Sequence, residues 1–361
     1  MQSARNKMVD DPFDAAQRIL NINAKRIAAG LSPLDSVVPS DPKFKAPPVK
    51  VEEVKPIIQP ADPGSVASDI EAQIKGERQS IAIPRWPRLC KAAQPLRPGG
   101  VCIVAGPPKQ GKSLFLLDML LQLHYAEVMW EVLPLEDHAY DVGWRFLSLL
   151  TNDWAMMDVD IETATRRKNI YNENAEIITT LMKGVHENPR LPVGPRGKKT
   201  VPPFPYQDAL EWIKNATGRA RVAMVDPLAQ IDWGGYKMNE GQSKFMRDVV
   251  GIAAESGSTV VLVVHTIKRP GKDGTYPMTP DDLMGCAEFS RLAHSIIMVN
   301  SHEERKCNVY GDYQEVEYNR TVYTTSRFGK KAPWGIAYKV TDEGPQLEEL
   351  GLIKPKERIG T

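Results

Sequence analysis

Eight consecutive residues, Gly106-Pro107-Pro108-Lys109-Gln110-Gly111-Lys112-Ser113, fit the pattern G-x-x-x-x-G-K-[ST]. Glycine permits backbone N–H groups to turn inward around phosphate oxygens. Lys112 supplies a charge to the β and γ phosphates, and the Ser113 hydroxyl is a ligand for Mg²⁺. The pattern means something only between a strand and a helix, and that is its context. The apolar run Val101 to Ala105 precedes it, and Leu114 opens the apolar stretch Leu114 to Leu121. A P-loop of residues 106 to 114 binding ATP with Mg²⁺ is the expectation.

Three further groups supply the chemistry that such a loop needs. Arg221-Val222-Ala223-Met224-Val225 ends in Asp226. An acid ending a strand is ordinary turn chemistry, but coupled to a P-loop it matches the Walker B pattern, which holds Mg²⁺ through its water shell. Glu136, in Leu135-Glu136-Asp137, is placed to orient and deprotonate a water attacking the γ-phosphate. The alternative for this pair is a helix N-cap, with Asp137 capping the helix that runs through Trp144; both hold if Glu136 is catalytic and Asp137 caps. His265 closes the apolar run Val260 to Val264. It is either a γ-phosphate sensor acting by hydrogen bonding or a satisfied structural histidine.

The elements that must position these groups follow from the apolar pattern. Val101–Ala105, Val128–Leu133, Arg221–Val225, Thr259–Val264 and Ser295–Val299 are strand-length apolar runs separated by helical stretches. Strands apolar on both faces predict a parallel sheet covered by helices. Val322–Thr325 and Gly335–Val340 predict an antiparallel addition at the C-terminal edge. The expected fold is α/β over residues 81–345, with a tail over 346–361. Before it, 1–32 carries a short amphipathic helix at about 12 to 29, and 33–80 reads as a linker, rich in proline up to Gly64.

Composition sets the outer limits. The 361 residues carry a net charge of +1 and 42% apolar residues, ordinary for a soluble globular protein, so any grip on nucleic acid is local. No run reaches the roughly 20 apolar residues of a membrane span, and the acidic N-terminus does not read as a secretory signal. A cytoplasmic protein is expected. Cys90, Cys102, Cys286 and Cys307 form no C-x-x-C pair, which argues against zinc or redox chemistry.

The order of motifs carries a resemblance. Leu96-Arg97-Pro98-Gly99-Gly100 leads into the P-loop strand, followed by Leu135-Glu136-Asp137, Val225-Asp226-Pro227-Leu228 and Val264-His265-Thr266-Ile267-Lys268. Asp282-Leu283-Met284-Gly285 and Thr325-Ser326-Arg327-Phe328-Gly329 complete the series. It resembles the RecA-like ATPases of the DnaB and RepA replicative-helicase type, with the RepA-like group nearest, over about residues 82 to 342. The resemblance implies a homo-oligomeric, usually hexameric ring, ATP at subunit interfaces and single-stranded DNA in the channel. It also implies roles: Glu136 the catalytic glutamate, Asp226 the Walker B acid, His265 the phosphate sensor, and Arg327 an arginine finger given to a neighbour's ATP. Where the DnaB type has a lysine two positions before the finger, Thr325 stands here, leaving either a single arginine or one assisted by Lys330. The basic segment Lys268-Arg269-Pro270-Gly271-Lys272-Asp273-Gly274 resembles loops that track DNA phosphates in such rings; otherwise it is a solvated loop. The expected activity is ATP hydrolysis driving a helicase or helicase-like factor in DNA replication or recombination. A RecA- or RadA-like recombinase and an ATP-switched loader are the rivals. Other replication proteins are candidate partners of the N-terminal segment.

Overall fold

The computed structural model describes residues 62–75, 80–157, 164–191, 202–267, 278–309, 315–327 and 335–353. The helix expected at 12 to 29, the basic segment 268–274 and Lys330 lie outside the described residues.

In chain order the helices are α1 (Pro63–Ile74), α2 (Pro87–Ala93), α3 (Lys112–Tyr125), α4 (Ala139–Thr151), α5 (Ala164–Met182), α6 (Tyr206–Thr217), α7 (Met238–Ser256) and α8 (Glu288–Leu292). The strands are β1 (Val101–Gly106), β2 (Trp130–Pro134), β3 (Phe204–Pro205), β4 (Val222–Asp226), β5 (Ile231–Asp232), β6 (Thr259–His265), β7 (Ser295–Asn308), β8 (Glu315–Ser326), β9 (Gly335–Lys339) and β10 (Glu348–Ile353). The main sheet runs β10-β9-β8-β7-β1-β6-β4-β2. From β2 to β7 all pairings are parallel, and from β7 to β10 all are antiparallel. This is the expected mainly parallel sheet with an antiparallel edge.

Alternate side chains of the apolar strands feed two separate cores. Cys102, Val104, Val261 and Val263 pack with Phe115, Leu116 and Met119 of α3 and Phe146 of α4. Val101, Ile103, Val260 and Leu262 pack with Phe245 and Val249 of α7 and Ile213 of α6. Strands buried on both faces cannot show polar–apolar alternation, so their sequences read as continuous runs.

Two segments differ from the sequence expectation. Residues 63–74, inside the expected linker, form α1; Pro63 is tolerated at the first helical position, and the next proline comes only at Pro84. Residues 348–353, inside the expected tail, form β10 against β9. The chain before β10 is latched onto α3: the fully buried Asp118 carboxylate pairs with Arg85 and accepts the Leu347 N–H at 2.8 Å, while Trp86 Nε1–H donates to Leu347 O at 3.1 Å. No helix among the described residues is long and apolar enough to cross a membrane.

Candidate nucleotide site

The P-loop joins the end of β1 to the start of α3, and its backbone demands the residues it has. A Cβ on Gly106 would lie 2.4 Å from Val299 O of β7, so the loop leaves β1 where only glycine fits. Gly111 caps α3 at φ +80° with no side-chain atom nearer than 3.8 Å to a Cβ, so conformation rather than space selects glycine there. Lys109 also takes a positive φ, +63°. The tip is tied down where Ser301 N–H donates to Gln110 Oε1 at 2.6 Å. Lys112 is buried, and its ammonium donates to Gly106 O at 3.0 Å and Pro107 O at 2.8 Å, within the arc of the loop. Burial lowers its pKa, with Asp226 and Glu136 pulling the other way.

Three strand ends deliver the remaining groups. The register places His265 beside Gly106 and Pro134 beside Asp226, so β1, β6, β4 and β2 all end at one edge. Asp226 is hydrogen-bonded to Ser113, and burial raises its carboxyl to about 6, with the nearby Asp137 and Glu136 adding to the rise and Lys112 opposing it. The Ser113 hydroxyl and Asp226 carboxylate are the hard oxygen pair that suits Mg²⁺, whose other ligands are phosphates and water. Among the described residues no cluster of three or more His, Cys, Asp or Glu side chains could hold a metal alone. The Ser113 and Asp226 oxygens fit a nucleotide-borne Mg²⁺.

Glu136 is exposed and accepts a hydrogen bond from Gln230 Nε2 at 2.8 Å. Asp137 does not cap α4. The N-cap is His138, without a side-chain cap bond, and Asp137 is instead gripped through both oxygens by Arg145, one turn further along α4 than Tyr140 and Asp141. A bidentate arginine offsets the charge of Asp137, whereas Glu136 is held by the neutral Gln230 amide. His265 is pushed below the ordinary histidine range, first by burial and then by Lys112, so at neutral pH it offers a neutral imidazole. Its Nδ1 is buried with no hydrogen-bond partner among the described residues, and the Gly106 backbone opposes the downward shift. The clamp that aims it is the Asp282–Gly285 turn. Met284 N–H donates to His265 O and Ile267 N–H to Asp282 O, each at 2.8 Å.

Lys112, Ser113, Glu136, Asp226 and His265 thus share one edge. Arg327 does not. Ser326 pairs with Ser295, which pairs with Cys102 at the start of β1. Arg327 therefore lies at the opposite edge, roughly 20 Å from its own P-loop at about 3.3 Å per strand residue. It is exposed, and its N–H donates to His294 O at 3.0 Å.

Gln230 and Arg145 escaped the sequence reading. Gln230 follows Asp226 by four residues on a short turn, Leu228–Gln230, which a search for polar groups near the Walker B acid would have met. Arg145 carried no signal, since only the fold of α4 brings it to Asp137.

No protein-family profile and no curated protein sequence matches the chain. Comparison of the fold gives a different result. The chain is similar to a solved structure described as an ATPase domain, at TM-score 0.58 and 13% identity, covering 82% of this chain and 100% of that one. It is also similar to the structure of a DnaB-like replicative helicase and its interactions with primase, at TM-score 0.57 and 12% identity, covering 95% of this chain and 76% of that one. At this level of identity the two structures show a shared fold, with the mainly parallel sheet and antiparallel edge described above.

Proposed function

We propose that the chain is an ATP-hydrolysing motor of the replicative-helicase type, acting on single-stranded DNA as a homo-oligomeric ring. The observation that carries this reading is the convergence of Lys112, Ser113, Glu136, Asp226 and His265 at one sheet edge around a P-loop. ATP seats in the loop, with Lys112 on its β and γ phosphates. Ser113 and Asp226 hold Mg²⁺, which supplies charge neutralisation at the phosphates. Glu136, steadied by Gln230, takes the proton of the attacking water, and neutral His265 hydrogen-bonds to the γ-phosphate. Arg327 acts on a neighbour's ATP, because its own is out of reach.

Two observations support assembly. Arg327 stands exposed at the edge away from its own site, and α1 leaves Val66, Ile70 and Ile74 exposed at a spacing of four, an apolar stripe that a second copy would cover. The replicative-helicase fold supports DNA as the substrate. The test is steady-state ATP hydrolysis with and without single-stranded DNA. A motor shows strong stimulation, whereas an unchanged rate favours an ATP-switched loader and defeats the motor reading.

A further inference from the structure

We infer that Arg320 is a second nucleotide-binding cation, acting in its own subunit on the α- and β-phosphate end of the nucleotide. The inference rests on the P-loop reading and adds a residue that no motif contains.

The register puts Arg320 there. Ser301 of β7 donates its N–H to Gln110 of the loop tip, and Arg320 is the β8 residue opposite Ser301. The β7–β8 register shifts immediately beyond Ser301, an irregularity of the kind that re-aims side chains beside sites. A Cβ on Gly111 would have Arg320 Nε as its nearest neighbour, at 3.8 Å. Gly111 is the N-cap of α3, where backbone N–H groups cradle the α and β phosphates. The ammonium of Lys112 leans the other way, to the carbonyls of Gly106 and Pro107, so Arg320 brings a separate charge.

Its surroundings leave that charge uncommitted. Arg320 forms no ion pair among the described residues. Its Nη1–H donates to the backbone O of Asn319 at 2.8 Å, and among the described residues no acceptor takes Nε–H or Nη2–H. Arg85, Arg145 and Arg219, by contrast, are each matched to a carboxylate. Burial lowers the pKa of Arg320, with no acid among the described residues opposing it. A half-buried guanidinium without a counter-ion among the described residues, beside a phosphate cradle, is suited to an anion.

The position defines the expected signature. A cation at the α,β end meets ADP and ATP alike, so it contributes binding common to ground and transition states. Binding of ADP and of a non-hydrolysable ATP analogue is measured by titration calorimetry on the assembled full-length chain, alongside steady-state hydrolysis. Arg320→Ala is expected to weaken both ligands by about ten- to a hundredfold, to raise KM by a similar factor and to leave kcat nearly unchanged. Arg320→Lys restores most of the affinity, and Arg320→Gln, which keeps the bulk without the charge, does not. Unchanged ADP affinity in Arg320→Ala, or in Arg320→Gln if the alanine variant does not fold, overturns the inference. Loss confined to the ATP analogue also overturns it, by moving the residue to the γ-phosphate. If the wild type itself binds neither nucleotide, the underlying P-loop reading falls, and the inference with it.

Discussion

At the scale of single residues, Lys112 and Glu136 carry the sharpest expectations. Lys112→Ala should abolish tight triphosphate binding, checked by fluorescent-nucleotide titration, because no other side chain of the motif delivers charge to the β and γ phosphates. Glu136→Gln keeps the shape and loses the base, so nucleotide affinity should persist while turnover falls on the order of a hundred- to ten-thousandfold. Gln230→Leu removes the group that holds Glu136 at 2.8 Å and should lower kcat while sparing nucleotide affinity, measured in the same assays. The legibility of these residues in the sequence follows from how far their chemistry is spread along the chain. The P-loop is one string, and Asp226, Glu136 and His265 each end an apolar run, so local pattern exposes them. Asp137 also stood in such a string, yet its partner Arg145 is eight positions away, and the pairing defeated the simple capping expectation.

At the scale of elements, the buried runs specified the parallel strands well, because two-sided burial leaves an unbroken apolar signature. They failed at β10, whose sequence Glu-Glu-Leu-Gly-Leu-Ile opens on two charged residues and is interrupted by glycine and whose docking depends on distant residues. Asp118 and Arg85 form that dock. Burial is the largest influence on Asp118 and raises its carboxyl to about 6 from 3.8, against Arg85 and the Leu347 N–H. The folded state therefore binds a proton between about pH 4 and 6 that the unfolded state does not, and stability declines as pH rises through that window, then levels off. Asp226, also raised to about 6, contributes in the same window, so chemical denaturation across pH should show a decline that is smaller by up to about 3 kcal/mol in Asp118→Asn than in the wild type. A second element-scale expectation concerns the turn that aims His265. Gly285 has φ +133°, and a Cβ there would lie 2.5 Å from the Phe289 ring. Gly285→Ala should lower the thermal midpoint, by a stability loss of about 1–3 kcal/mol, and should also lower turnover, since the same turn bonds to the His265 carbonyl.

At the scale of the whole molecule, β8 spans the sheet from one edge to the other. It holds Arg320 at the level of its own P-loop, and Arg327 follows its last residue at the far edge. In the sequence Arg327 is marked by the resemblance, whereas Arg320 carries no motif; its place beside the P-loop comes from the antiparallel register with β7. If Arg327 completes a neighbour's site, its removal spares nucleotide binding and costs roughly a thousandfold or more in turnover, the scale of trans-acting arginines. Mixing subunits tests this shared site most directly. ATP hydrolysis is measured for Arg327→Ala, for Lys112→Ala, and for the two combined under conditions where mixed oligomers form. Each variant alone should be inactive, and the mixture should regain activity at interfaces that join an intact P-loop to an intact arginine. A mixture that stays inactive although mixed oligomers form, or an Arg327→Ala chain that is fully active by itself, would contradict the account.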